Sequence, residues 1–155
     1  MSARRFSRYL PLFLWMAIIS LASTGSFSGD NTSRFIRPLV LWLFPNISAE
    51  SLALIHFTVR KLSHFAEYAV LGFLAARAFA SSKREIFKQR WFSLSLFLVV
   101  IYALLDEYHQ SFVPSRGASI YDCLIDTSGG LAALLIFALR RARRQARAEA
   151  QLLRS

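Results

Sequence analysis

Residues 92–116 read FSLSLFLVVIYALL-DEYHQSFVPSR, an uncharged run followed at once by two carboxylates, a His and an Arg. From 119 to 139 the chain is apolar again, SIYDCLIDTSGGLAALLIFAL, with only Asp122 and Asp126 charged. A loop that merely joins two membrane helices could be made of Ser, Gly and Asn. Charge at bilayer depth costs roughly 2.5–3.5 kcal/mol per group on insertion scales, so a polar cassette in this setting is read as functional. The uncharged part, Phe92 to Leu105, covers about 21 Å of helix against a hydrocarbon core of about 30 Å. Asp106 to Gln110 are therefore expected inside the outer leaflet, facing protein or a water-filled pocket.

Working outward, three apolar segments precede the last one. The first follows the basic start Arg4, Arg5, Arg8 and runs from Tyr9 to about Thr24; the second runs from about Leu62 to Ala80; the third is the run from Trp91 to Leu105. With Ser119–Leu139 they make four. Continuous apolar residues without alternation favour helices over a barrel. The chain of 155 residues is 55% hydrophobic and 14% aromatic, with mean hydropathy +0.39, which leaves little for a soluble domain. The predicted fold is all-α and integral to the membrane: one domain over 1–155, a bundle of about four transmembrane helices. A short interfacial segment lies between the first and second spans. Gly25–Ser33 reads as a turn; Arg34–Phe44 is too short to span and is interrupted by Pro38, with Trp42 at headgroup level. Ser48 reads as an N-cap, with Glu50 in the first turn of a helix that can continue into the second span. The single Cys, Cys123, excludes an intramolecular disulfide and reads as a small apolar helix residue.

The net charge of +10 would suggest nucleic acid in a soluble protein. Here the basic residues cluster at the ends of apolar runs and carry topology instead. With the N-terminus inside, fourteen Lys and Arg fall inside and five (Arg34, Arg37, Arg60, Lys61, Arg116) outside. Both termini are thus predicted to be cytoplasmic, with residues 140–155 a basic cytoplasmic tail bound to anionic lipid headgroups rather than to nucleic acid. The alternative for the first segment is a cleaved signal peptide, with Leu21–Thr24 as a weak cleavage site. The other spans keep their orientation either way.

This topology gathers polar residues on the outer face. Lys61, His64, Glu67 and Tyr68 open the second span, Asp106, Glu107, His109 and Gln110 close the third, and Arg116, Asp122 and Asp126 open the fourth. Lys61, His64 and Tyr68 share one helical stripe, as do Asp122, Asp126, Gly129 and Gly130. The paired glycines allow close approach to a neighbouring helix, as small residues do in membranes. The bland reading is ion pairing that only holds helices together, for example Arg116 with Asp122. Against it, a structural bridge needs two groups, and at least eight ionisable groups collect in this layer. His56 lacks carboxylates in its own segment and reads as an interfacial or packing residue.

The pattern Arg60-Lys61-x-x-His64-Phe65-x-x-Tyr68, then Asp106-Glu107-x-His109-Gln110-x-Phe112-x-Pro114-x-Arg116, then Asp122, Asp126 and Gly129-Gly130, resembles the VanZ-like family of bacterial membrane proteins. The match covers roughly residues 58–135, on three helices in the expected order. Asp126 departs from the pattern, where Asn is frequent. The resemblance implies a small multi-pass protein of the bacterial inner membrane with a role in the cell envelope. The family's namesake is associated with reduced teicoplanin susceptibility, which does not carry over to this chain. The resemblance leaves biochemical activity open.

Three chemistries fit the outer-face residues. The first is a pocket that binds, and can process, a phosphate-bearing envelope lipid or glycan precursor. Lys61, Tyr68, Gln110, Arg116 and Asp126 would bind, Arg116 bidentately, and His64, Asp106, Glu107, His109 and Asp122 are candidate acids and bases. The second is a metal-dependent hydrolase built on His64, Glu67, Asp106 or Glu107, and His109, although the spacing matches no standard protease signature and no cofactor is implied. The third is a non-enzymatic carrier or accessory subunit of an envelope complex. A through-membrane proton relay is disfavoured, because the inner halves of the spans lack acids and His.

Overall fold

In the computed structural model, residues 3–23, 29–112 and 119–153 are described. They form six helices: α1 (Ala3–Ala22), α2 (Gly29–Leu43), α3 (Ala49–Ala80), α4 (Glu85–Gln89), α5 (Trp91–Gln110) and α6 (Ile120–Leu152). There is no strand among the described residues.

Local chemistry explains the boundaries that matter for the site. The Ser48 hydroxyl accepts the Ser51 N–H at 3.1 Å, and Glu50 sits in the first turn, where a carboxylate is favoured by the helix dipole. The resulting 32-residue helix α3 is about 48 Å long and is the central element, packed against α1, α2, α5 and α6. Ser119 caps α6 by accepting the Tyr121 N–H at 3.3 Å. α6 then continues past the apolar region through the basic tail to Leu152.

Long-range bonds give the helix directions. Trp15 Nε1 donates to the Glu67 carbonyl and Tyr9 to Ser82, so α1 runs against α3. Ser20 pairs with Tyr102 and, further along both helices, Ser23 donates to Asp106, so α5 runs with α1. Phe73 and Phe137 stack edge-on at 6.0 Å, with Lys61 beside Asp122, so α6 runs with α3. The core between them holds Leu12, Ile19, Tyr68, Leu71, Ala75, Val99 and Ala103. α1 contributes to this core, with Leu12 and Ile19 only 2% and 1% exposed.

Glycines set the closest approach. A Cβ on Gly72 would lie 2.6 Å from the Gly130 carbonyl oxygen, and one on Gly129 would collide with the carbonyl of Phe65. One on Gly130 would meet Val99 Cγ1 of α5 at 2.5 Å. The backbones of α3 and α6 thus touch directly, the tight packing that small residues permit in membranes.

Three expectations change. Two helices, α5 and α6, are long and apolar enough to cross a membrane. The apolar part of α1, Ser7–Ala22, is shorter, and α3 carries Arg60, Lys61, His64, Glu67 and Arg77, so four spans do not follow from length and composition. The turn expected at Gly25–Ser33 is helical from Gly29, because the residues that favour turns also favour helix N-termini. Pro38 does not interrupt α2 and lies exposed within it; a proline deletes one backbone donor, a small loss where water reaches the freed carbonyl.

Candidate functional site

One end of the bundle collects the polar groups. It is formed by the C-terminus of α1, the middle of α3, the C-terminus of α5 and the first turns of α6. Because α3 and α6 run in parallel with their backbones in contact, residues one turn apart on each helix pair in register. Lys61 forms an ion pair with Asp122, and Arg60 reaches the other oxygen of that carboxylate at 3.6 Å. One turn deeper, His64 Nδ1 lies 3.2 Å from Asp126 Oδ1. Asp126 is fully buried and Asp122 is 2% exposed.

α5 supplies the third wall. Asp106 accepts hydrogen bonds from the Ser23 hydroxyl on one oxygen and from Gln110 Nε2, at 3.0 Å, on the other. The residues i and i+4 thus lock each other on the inward face. Glu107 Oε2 accepts the Ser119 N–H at 2.7 Å, which ties the end of α5 to the start of α6. Tyr68 is fully buried and donates to the Tyr102 carbonyl at 3.4 Å. Two carboxylate oxygens, Glu107 Oε1 and Asp126 Oδ2, are buried without a hydrogen-bond partner among the described residues.

Of the predicted site residues, Lys61, His64, Tyr68, Asp106, Glu107, Gln110, Asp122 and Asp126 come together at this end. His109 does not. It is exposed, because Asp106, Glu107 and Gln110 define the inward arc of α5 and position 109 lies roughly 100° away from its centre. Arg116 lies outside the described residues. Among the described residues no three His, Cys, Asp or Glu side chains are placed to hold a metal ion, so the His64, Glu67, Asp106 or Glu107, His109 set does not assemble as a metal centre. Two partners went unnoticed in the sequence. Ser23 carries no motif and sits beyond an apolar run, and Tyr102 looks like one more aromatic in a lipid-facing helix.

Four buried carboxylates face Lys61, Arg60 and His64. An imidazole held through Nδ1 by a carboxylate keeps its other nitrogen, Nε2, for proton exchange. In the carboxylate form the unpartnered oxygens accept, and what they lack is then a donor. The whole arrangement extends from α1 to the start of the basic tail, and a family model described as VanZ/LLP1 matches residues 7–141 over that same extent. The chain belongs to the VanZ/LLP1 family. The match takes in α1 as well as the three helices that carry the motif, so the VanZ/LLP1 unit includes Ser23, the helix-end residue that engages Asp106. No curated protein and no solved structure matches the chain. Membership of the VanZ/LLP1 family, together with two helices apolar enough to span a bilayer, marks a membrane protein.

Proposed function

We propose that this is a four-span protein of the bacterial inner membrane whose polar end binds the headgroup of an envelope lipid or glycan precursor. α1, the part of α3 from about Leu62, α5 and the apolar part of α6 are the spans, both termini are cytoplasmic, and the pocket opens to the exterior. The alternating helix directions support this arrangement, as does the concentration of Lys and Arg at the end of the bundle remote from the pocket.

The observation that carries the ligand reading is the pair of buried, unpartnered carboxylate oxygens, Glu107 Oε1 and Asp126 Oδ2. Leaving such groups unmet is costly, and a hydroxyl- or amine-bearing headgroup supplies the missing donors. A phosphate on the same molecule would rest at the rim, on Arg60 and Lys61. The His64–Asp126 pair could move a proton to or from a bound hydroxyl, which makes processing chemically open to the site without being required for binding.

The test is a titration of the purified protein in detergent with a polyprenyl phosphate and with a glycosylated polyprenyl diphosphate. The glycosylated lipid is expected to bind at least about 10-fold more tightly, equivalent to about 1.4 kcal/mol. Asp126→Asn and Glu107→Gln should erase that preference while the protein stays folded. Equal affinity for the two lipids, or a preference untouched by both substitutions, would overturn the reading.

A further inference from the structure

At the end of the bundle opposite the polar pocket, a groove of about 520 Å³ runs between α3 and α6. Its walls are two stripes at helical spacing. Phe73, Arg77, Ala80 and Ser81 come from α3, and Phe137, Arg140, Arg141 and Arg144 from α6. The parallel run of the two helices, fixed by the glycine contact above it, turns these stripes toward each other. Four guanidiniums therefore converge on one groove, and no carboxylate lies within ion-pair distance of any of them among the described residues. The floor is apolar: Phe73 meets Phe137 edge-on, and Phe137 stacks against Trp91 at 5.2 Å. Arg141 lies over the Trp91 ring at 5.9 Å, which holds its guanidinium at the groove.

Chemistry narrows the occupant. Four arginines without a carboxylate partner make the groove attractive to an anion, and guanidiniums match phosphate oxygens bidentately. The C-terminal dipole of α3 opposes an anion here, but it amounts to about half a charge, and Ser81 already donates its N–H and hydroxyl to the Arg77 carbonyl. The aromatic floor continues directly into the apolar part of α6, which ends at Leu139, so the arginine rim sits where hydrocarbon gives way to headgroup. A soluble phosphate would have no use for the floor. We propose that this groove is a discrete binding site for an anionic phospholipid, its phosphate held by Arg77 and Arg140 with Arg144 and Arg141 flanking it, and its acyl chain laid over Phe73 and Phe137. The site is separate from the polar pocket and does not depend on the reading given to that pocket.

The experiment measures binding of short-chain phosphatidylglycerol, short-chain phosphatidylcholine and glycerol phosphate to the purified full-length protein in neutral detergent. Phosphatidylglycerol should bind at least about 10-fold more tightly than either other probe. Arg77→Gln with Arg140→Gln should weaken it on the order of 30-fold, since each basic residue near a phosphate contributes about 1 kcal/mol. Arg143→Gln with Arg147→Gln removes the same charge from α6 outside the groove and should change it less than about 3-fold. Arg144→Gln alone, at an exposed rim position, should follow the groove pair if that double variant does not fold. Equal losses from the groove and control variants would show general electrostatic attraction and overturn the proposal. Glycerol phosphate binding as tightly as the lipid would overturn the lipid assignment.

Discussion

Asp122 has one largely covered cation, Lys61 (16% exposed), and one half-exposed one, Arg60 (44% exposed), so its charge is met on a single side of the helix pair. Removing one member of the Lys61–Asp122 pair leaves the other stranded, which where water is largely excluded costs several kcal/mol, whereas replacing both with apolar residues of similar size often costs little. Asp122→Asn is accordingly expected to lower stability by roughly 3 kcal/mol, and Lys61→Met with Asp122→Leu to lower it by less than half of that. Denaturant unfolding in detergent reads the difference; a double variant as weak as the single would mean the charges interact with something beyond each other. The two stripes were legible in the sequence, Lys61 and His64 on one and Asp122 and Asp126 on another, but their pairing was not, since Asp122 is matched there with Arg116. Nor was the direction of His109. Three inward residues at the end of α5 leave a fourth no room on the same arc, and which three turn inward is decided by Ser23 and Ser119, residues too ordinary to draw notice.

For the helices, the contact between α3 and α6 is the determinant of everything above and below it. Gly129 faces the Phe65 carbonyl and Gly72 faces Gly130, so any side chain there must push two backbones apart. Gly129→Ala is expected to destabilise the protein by about 1–3 kcal/mol, the usual range for overpacking, and to loosen the His64–Asp126 bond one turn away. Ser128→Ala, exposed on the same turn, should stay within about 0.5 kcal/mol of the parent. Thermal unfolding of both, with the imidazole NMR signal of His64 as the local readout, checks the pair. The adjacent glycines pointed to close packing before any coordinates were considered. What they could not reveal is the partner, since glycine carries no chemistry that names its neighbour. The short α4 and the early start of α2 were hidden for another reason: caps, turns and first helical turns draw on the same residues.

For the molecule as a whole, the polar pocket and the arginine groove lie at opposite ends, separated along α6 by the stretch from Asp126 to Arg140, about 21 Å. If the bundle spans the bilayer as proposed, Ser111→Cys in a Cys123→Ala background should react with an impermeant thiol reagent in intact spheroplasts, and Arg147→Cys should not; the reverse pattern would invert the topology. The number of spans was the part the sequence conveyed least well, because α3 places charged residues inside its own apolar run and so hides its length from any hydropathy count. That same placement bears on how the chain is made. Lys61 and His64 leave the ribosome well ahead of Asp122 and Asp126, Lys61 and Asp122 being 61 positions apart. If α3 spans as proposed, then until α6 arrives the translocon holds a helix whose polar groups each oppose partition into lipid by roughly 2.5–3.5 kcal/mol. A nascent chain stopped after α5 is therefore expected to linger at the channel or fall to quality-control proteases, with a pulse-chase half-life well below that of the full chain. Membrane integration of α3 and α6 is then a single, delayed event, completed only when the last helix emerges.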